Sequence, residues 1–262
     1  MMFARILIAE FLKLRRVALV YISFLVLIIM AAMLSFFMWI TLNPGLAETL
    51  GVLGEKAKVA FGTVVPDWSV FVHFLKEMSG LGGMFFAAML LAWVFGREYM
   101  QGTAKNLLVL PVPRVQVALA KILVCTVWLF ALFAWFLMVA VLAGQVAGLG
   151  SPDWQVLQGF ATELPLILIT DLAVSLVVAF IAVASKGVFA PLGYAVGSLL
   201  LATMFAATGW GPYVPWSVVN IMSGAASAGL ELVPASGIVV VVMAIIGFGL
   251  TILTLERADN AQ

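Results

Sequence analysis

Few side chains in this 262-residue chain could do chemistry, and most of them stand alone. Asp171 is an acid inside an apolar run. A carboxylate at that depth could hold a cationic substrate or relay protons. It could equally be kept by a hydrogen bond to Thr170 or Ser175, or by carrying a proton itself. His73 is the only histidine, which excludes bis-histidine haem ligation within the chain. No His-Glu-x-x-His and no Gly-x-Ser-x-Gly occurs, so neither a zinc nor a serine hydrolase site is expected. No Gly-x-x-x-x-Gly-Lys-Ser/Thr occurs either, so the chain has no P-loop. Cys125 is the only cysteine, which excludes an internal disulfide and a cysteine-built metal site. No catalytic residues, resident cofactor or metal site are expected.

The other chemical feature is one polar stretch, Gly96 to Lys121, GREYMQGTAKNLLVLPVPRVQVALAK. It holds Arg97, Lys105, Arg114 and Lys121 against one acid, Glu98. Gly102-Thr103 can end one helix and cap the next. Pro111 and Pro113 then stop that short helix before a new one begins. The expected form is an elbow without strands: short helix, proline turn, membrane helix. A channel needs no such structured elbow, whereas a membrane protein driven by a soluble partner does.

The elements that flank this stretch follow from composition. Hydrophobic residues make up 65% of the chain and charged residues 10%. Soluble domains average roughly 45–50% and about 25%. The expectation is an all-α polytopic membrane protein, one transmembrane domain over 1–262, with spans near 17–42, 69–95, 122–146, 162–184, 188–208 and 235–255. The first apolar run follows a basic N-terminus but is too long for a signal peptide. Ahead of it, Phe3, Ile6, Leu7, Phe11 and Leu14 alternate with Arg5, Glu10, Lys13 and Arg16. That spacing suits an amphipathic helix in the headgroup plane, or a helical extension of the first span. Residues 43–70 read as an aqueous segment. The stretch 209–234 is apolar but broken by Pro212, Pro215 and Pro234. A re-entrant or interfacial helix over about 217–228 is expected there, beside the headgroup-level aromatics Trp210, Tyr213 and Trp216.

With the N-terminus in the cytoplasm, ten Lys and Arg lie inside and three outside, and the outer loops at 147–161 and 209–234 carry none. The positive-inside rule therefore places both termini, and the elbow, in the cytoplasm. The net charge of +1 by itself says nothing about partners, and no nucleic-acid partner is expected.

The run AEFLKLRR into the first span, the elbow FGREYMQGTAKNLLVLPVPRVQVALAK, and the aromatic-proline segment before the sixth span together resemble the type 2 exporter permeases of ATP-binding-cassette transporters. Among these the chain is most similar to the small bacitracin- and lantibiotic-resistance permeases. The most specific part is Glu98, Gly102-Thr103, Lys105, Pro111, Arg114 and Lys121. Pro113 departs from the family's Pro-x-x-Arg-like turn.

The resemblance implies a permease of a bacterial cytoplasmic membrane that moves a hydrophobic or amphipathic compound. ATP and magnesium would sit on a separate ATPase present in two copies, and a second permease copy would complete a homodimeric pore. The elbow would be the coupling helix, docked through Leu107, Leu108 and Leu110, with Glu98, Lys105 and Arg114 at its polar rim. Pro215 and Trp216 would belong to an outer gate, and Met33 and Phe36, with Asp171, to a substrate path. The rival expectations are an ion- or proton-coupled transporter using Asp171, and a non-transporting membrane scaffold.

Overall fold

The computed structural model describes residues 2–43, 45, 66–103, 113–226 and 229–260. All regular structure among them is helical. The elements are α1 (Met2–Arg15), α2 (Ala18–Leu42), α3 (Trp68–Met100), α4 (Arg114–Val146), α5 (Trp154–Ala184), α6 (Phe189–Ala206), a 3-10 turn (Gly211–Tyr213), α7 (Pro215–Ser223) and α8 (Pro234–Asn260). Helices α2, α3, α4, α5, α6 and α8 are each long and apolar enough to cross a membrane.

Helix starts follow side-chain chemistry. Asp67 caps α3 by accepting from the Val70 amide at 2.8 Å, and Asp153 caps α5 by accepting from the Gln155 amide at 3.0 Å. Pro215 opens α7, where a missing amide hydrogen costs nothing. Gly224, at φ +81°, closes it.

Helix α3 is 33 residues long, about 50 Å at 1.5 Å per residue. The apolar layer of a bilayer is about 30 Å thick. Between Glu77 and Arg97, α3 carries no charged residue, a rise of roughly 30 Å. The helix therefore spans the layer and projects from it at both ends.

α3 and α5 form the centre and are the most buried of the six long helices. α5 packs along α3, and small residues allow this. A Cβ on Gly83 would overlap the Asp171 carboxylate of α5, and one on Gly80 would lie 2.5 Å from the Ser223 hydroxyl of α7, which also packs closely on α3. α2 and α4 pack together on one flank, joined to the core through Phe133, Phe136, Leu129 and Leu132. α6, α7 and α8 cover the other flank around Val174, Val218, Val219 and Val240. A Cβ on Gly247 would lie 2.6 Å from the Val177 backbone nitrogen, which sets the close approach of α8 to α5.

Several boundaries differ from the sequence reading. The helix before the elbow runs on through Gly96, Arg97 and Glu98 to Met100, and the next begins at Arg114. Arg97 and Glu98 stay within the helix, each with a partner from a neighbouring helix. The Thr103 amide bonds the Glu98 carbonyl at 2.9 Å, and Gly102 has φ +68°, a glycine-closed helix end. Residues 104–112, with Lys105, Leu107, Leu108, Pro111 and the expected short helix, lie outside the described residues. So do most of the aqueous segment 43–70 and the pair Ser227 and Ala228. α5 begins at Trp154 and passes through Pro165 unbroken. The expected helix over 217–228 is instead Pro215–Ser223.

Candidate functional site

At the elbow end, three helices meet through charge. Glu10 of α1, Glu98 of α3 and Lys121 of α4 are all buried. Lys121 Nζ lies 3.1 Å from Glu10 Oε2 and 3.1 Å from Glu98 Oε2, and it donates to the Val94 carbonyl at 3.1 Å. Lys13 Nζ pairs with Glu10 and reaches Glu98 Oε1 at 2.9 Å. Arg97 Nη1 donates to the Lys13 carbonyl at 3.2 Å. The Phe95 ring stands under the Lys121 ammonium, 5.7 Å from it.

Two carboxylates bridged by two ammonium groups balance their charge. This matters where burial has removed water from both partners. Burial of Lys13 works against its charged form, but Glu98 and Glu10 outweigh it and hold the amine above its usual range.

This arrangement revises the place of Glu98. The family resemblance puts it at the polar rim of the coupling helix. In the structure its carboxylate turns inward, to Lys13 and Lys121. Glu10 and Lys13 were read only as polar positions of an amphipathic helix. Their partners lie 85 and 111 residues away. Glu10 one turn from Lys13 on the same face of α1 is the sequence signal available.

The turn between α5 and α6 also reaches this end. A Cβ on Gly96 would sit 2.5 Å from the Gly187 carbonyl oxygen, so the 185–187 turn lies directly on α3 one residue before Arg97. Lys186 adopts φ 54° in that turn. Beside the elbow, Gly102 and Thr103 are exposed and Arg114 is half-buried.

The opposite end carries a looser set of charges. Lys76 pairs with Glu163, linking α3 to α5. His73 Nε2 lies 3.2 Å from Glu77 Oε1. Among the described residues, no group of three or more metal-ligating side chains occurs.

Asp171 sits between the two ends, on α5 against Gly83 of α3. It is fully buried, and neither carboxylate oxygen has a hydrogen-bond partner among the described residues. Thr170 and Ser175, the partners considered from sequence, bond elsewhere. Thr170 Oγ1 donates to the Leu166 carbonyl at 2.8 Å and Ser175 Oγ to the Met84 carbonyl at 3.4 Å.

The other residues of the expected path do not converge on Asp171. Met33 is 66% exposed and Phe36 53% exposed, on the outer face of α2. Pro215 and Trp216 are half-buried at the start of α7, where Trp216 meets the Tyr194 ring edge-on at 6.3 Å.

A family model described as ABC-2 family transporter protein matches residues 6–201. The match takes in nearly all of α1 to α6, and with them the ion cluster, the elbow and Asp171. No curated protein matches the chain.

Proposed function

The chain belongs to the ABC-2 family of transporter proteins, and from that premise we propose that it is the permease subunit of an ATP-binding-cassette exporter in a bacterial cytoplasmic membrane. The family implies association with an ATP-binding subunit. This chain is a multi-pass membrane protein of six long apolar helices. In this reading two ATPase copies supply hydrolysis, with ATP and magnesium bound on them. The compound moved is hydrophobic or amphipathic, as expected for a relative of the bacitracin- and lantibiotic-resistance permeases.

The observation that carries the coupling reading is the ion cluster beside the elbow. Residues 101–113 connect α3 to α4, and the cluster ties the adjoining ends of α1, α3 and α4 into one body. A partner pressing on the elbow would move three helix ends together rather than flex a loop. Leu107 and Leu108 are the proposed docking side chains, Gly102-Thr103 and Pro111 set the elbow's bends, and Lys105 and Arg114 flank it. Glu98 contributes from inside, by holding α1 and α4 to α3. Both termini lie in the cytoplasm in this reading, as does the elbow.

Met33 and Phe36 support a pore between two copies. They face away from the rest of the chain. They can line a path only where a second permease stands against α2. Pro215 and Trp216 belong to the outer gate of that pore.

The test is affinity purification of the chain from its native membrane in mild detergent, with Leu107→Lys as the comparison. Leu107→Lys is preferred to Glu98→Lys, which would place a third ammonium among Lys13 and Lys121. The expected result is a stoichiometric P-loop ATPase that is lost in Leu107→Lys, with the permease still folded and inserted. An ATPase that remains bound and a transport rate that does not change would overturn the coupling assignment.

A further inference from the structure

We propose that Asp171 is a proton-binding site that locks α5 against α3, with the proton bound in the packed state and released when the two helices part. The proposal is independent of how the ATPase docks, and it does not make the chain an ion-coupled transporter. The proton is a bound ligand of one interface.

Among the described residues, the geometry leaves the carboxylate no other neutralising partner. Asp171 is fully buried, and both oxygens lack hydrogen-bond partners among the described residues. From α3 it meets the Gly83 backbone, with Leu168 of its own helix alongside. No titratable residue occurs on α3 between Glu77 and Arg97. On α5 the only other titratable residue is Glu163, two turns away, where it pairs with Lys76. On α6 the only titratable residue is Tyr194, which stands against the Trp216 ring. α7 has none, and the first on α8 is Glu256, near the opposite end of that helix. On α4 they are Arg114, Lys121 and Cys125, all toward the elbow end. Gly83 lies about 9 Å along α3 from Glu77 and about 21 Å from Arg97, so neither side chain touches the carboxylate, and Lys76, about 10 Å along α3, is paired with Glu163. An ionised carboxylate held in such surroundings takes up a proton instead of remaining charged.

The proton also gives the side chain a donor. Other buried hydroxyls in these helices use theirs on the carbonyl one turn back, as Ser79 does to Leu75 and Thr251 to Gly247, at 2.8 and 2.7 Å. A protonated carboxyl has the same donor, whereas an ionised one has only acceptors.

The fit over Gly83 explains why release should be tied to movement. With glycine at 83, the acid sits where any Cβ would otherwise lie. Water cannot reach it until α3 and α5 separate. Once water does, the charged form is solvated and the proton leaves. Closing the interface again then requires a proton to bind. Packed and parted states are thereby linked to pH through one group, and alkaline conditions favour the parted state.

The experiment uses the full chain in lipid nanodiscs, with Cys125→Ala removing the native thiol. Infrared difference spectra between wild-type and Asp171→Asn protein at neutral pH are expected to show one protonated-carboxyl band present only in the wild type. Ser175→Cys then reports opening, since Ser175 faces Met84 across the same interface. Its labelling rate by a water-soluble maleimide is divided by the rate in the Asp171→Asn background, which cancels the thiol's own pH dependence. The ratio is expected to rise with pH, approaching about tenfold per unit for release of one proton. Asp171→Leu serves as the reference if Asp171→Asn inserts poorly. An ionised-carboxylate band in the wild type at neutral pH, or a ratio that does not change with pH, would overturn the proposal.

Discussion

Two acids are buried at the α3 helix, and they are treated in opposite ways. Glu98, at the elbow end, is held by two ammonium groups from helices far apart in sequence. Asp171, between the two ends, faces a glycine and has no partner among the described residues. Burial has removed water from both. What differs is the supply of counter-charge. Long basic side chains from α1 and α4 can reach Glu98 because the elbow end borders the headgroup region, where such residues are tolerated. At the level of Asp171 every neighbouring helix is apolar. The first acid therefore fastens helices through fixed charge, and the second can do so only in neutral form.

The sharpest way to break this comparison is to remove the cation that Glu10 and Glu98 share. Lys121→Met leaves two buried carboxylates with only Lys13 between them. It is expected to cost about 3–5 kcal/mol, the usual cost of stranding one side of a buried ion pair. Thermal unfolding in detergent would check this, and a shift indistinguishable from zero would mean the cluster does not hold the three helices.

Next in size is Gly83→Ala. The added methyl would overlap Asp171 Oδ2. A loss of about 1–3 kcal/mol is expected from overpacking. Asp171→Ala in the same chain should return most of it, and a double-mutant cycle with no coupling would deny the contact.

Asp171→Leu sharpens the contrast from the other side. Replacing an unpartnered buried acid by an apolar residue of similar size should be neutral or stabilising by about 1 kcal/mol. Glu98→Leu should be clearly destabilising, since it leaves Lys13 and Lys121 with only the Glu10 carboxylate between them. Equal effects of the two in the same unfolding assay would erase the distinction drawn between them.

The smallest effect concerns Lys13, whose amine is held above its usual range of 10.5 although burial opposes this. A group with a raised folded-state value contributes stability below its unfolded value and loses it as pH rises through the folded one. Wild-type protein should therefore lose stability relative to Lys13→Met only above about pH 10.5. The step should be modest, because the Lys13 side chain is 41% exposed. Alkaline titration of the melting temperature of both proteins would show it.

Much of the fold was legible in the residue order. Apolar runs such as 18–42 and 234–257 are local facts, and any run of that length crosses an apolar layer as a helix because only then are its backbone groups paired. Asp67 and Asp153, the punctuating prolines and Gly102 mark helix ends by equally local chemistry. The special status of Asp171 was visible too, as an acid alone in such a run.

The partners were not legible. Glu98 reads as a rim residue because the family resemblance makes the elbow a coupling helix, and nothing in the sequence shows which way its carboxylate turns. Its cations arrive from residues 13 and 121, brought in by the packing of α1 and α4. In the same way, Thr170 and Ser175 stood close enough in sequence to serve Asp171, but each spends its hydroxyl on a backbone carbonyl. The sequence alone determined six apolar helices, a polar elbow and which side chains carry charge, because hydropathy and helix capping act within one or two turns. Only the tertiary structure decided which of those charges are paired. Pairing depends on distances of a few ångströms between helices that the chain order leaves far apart.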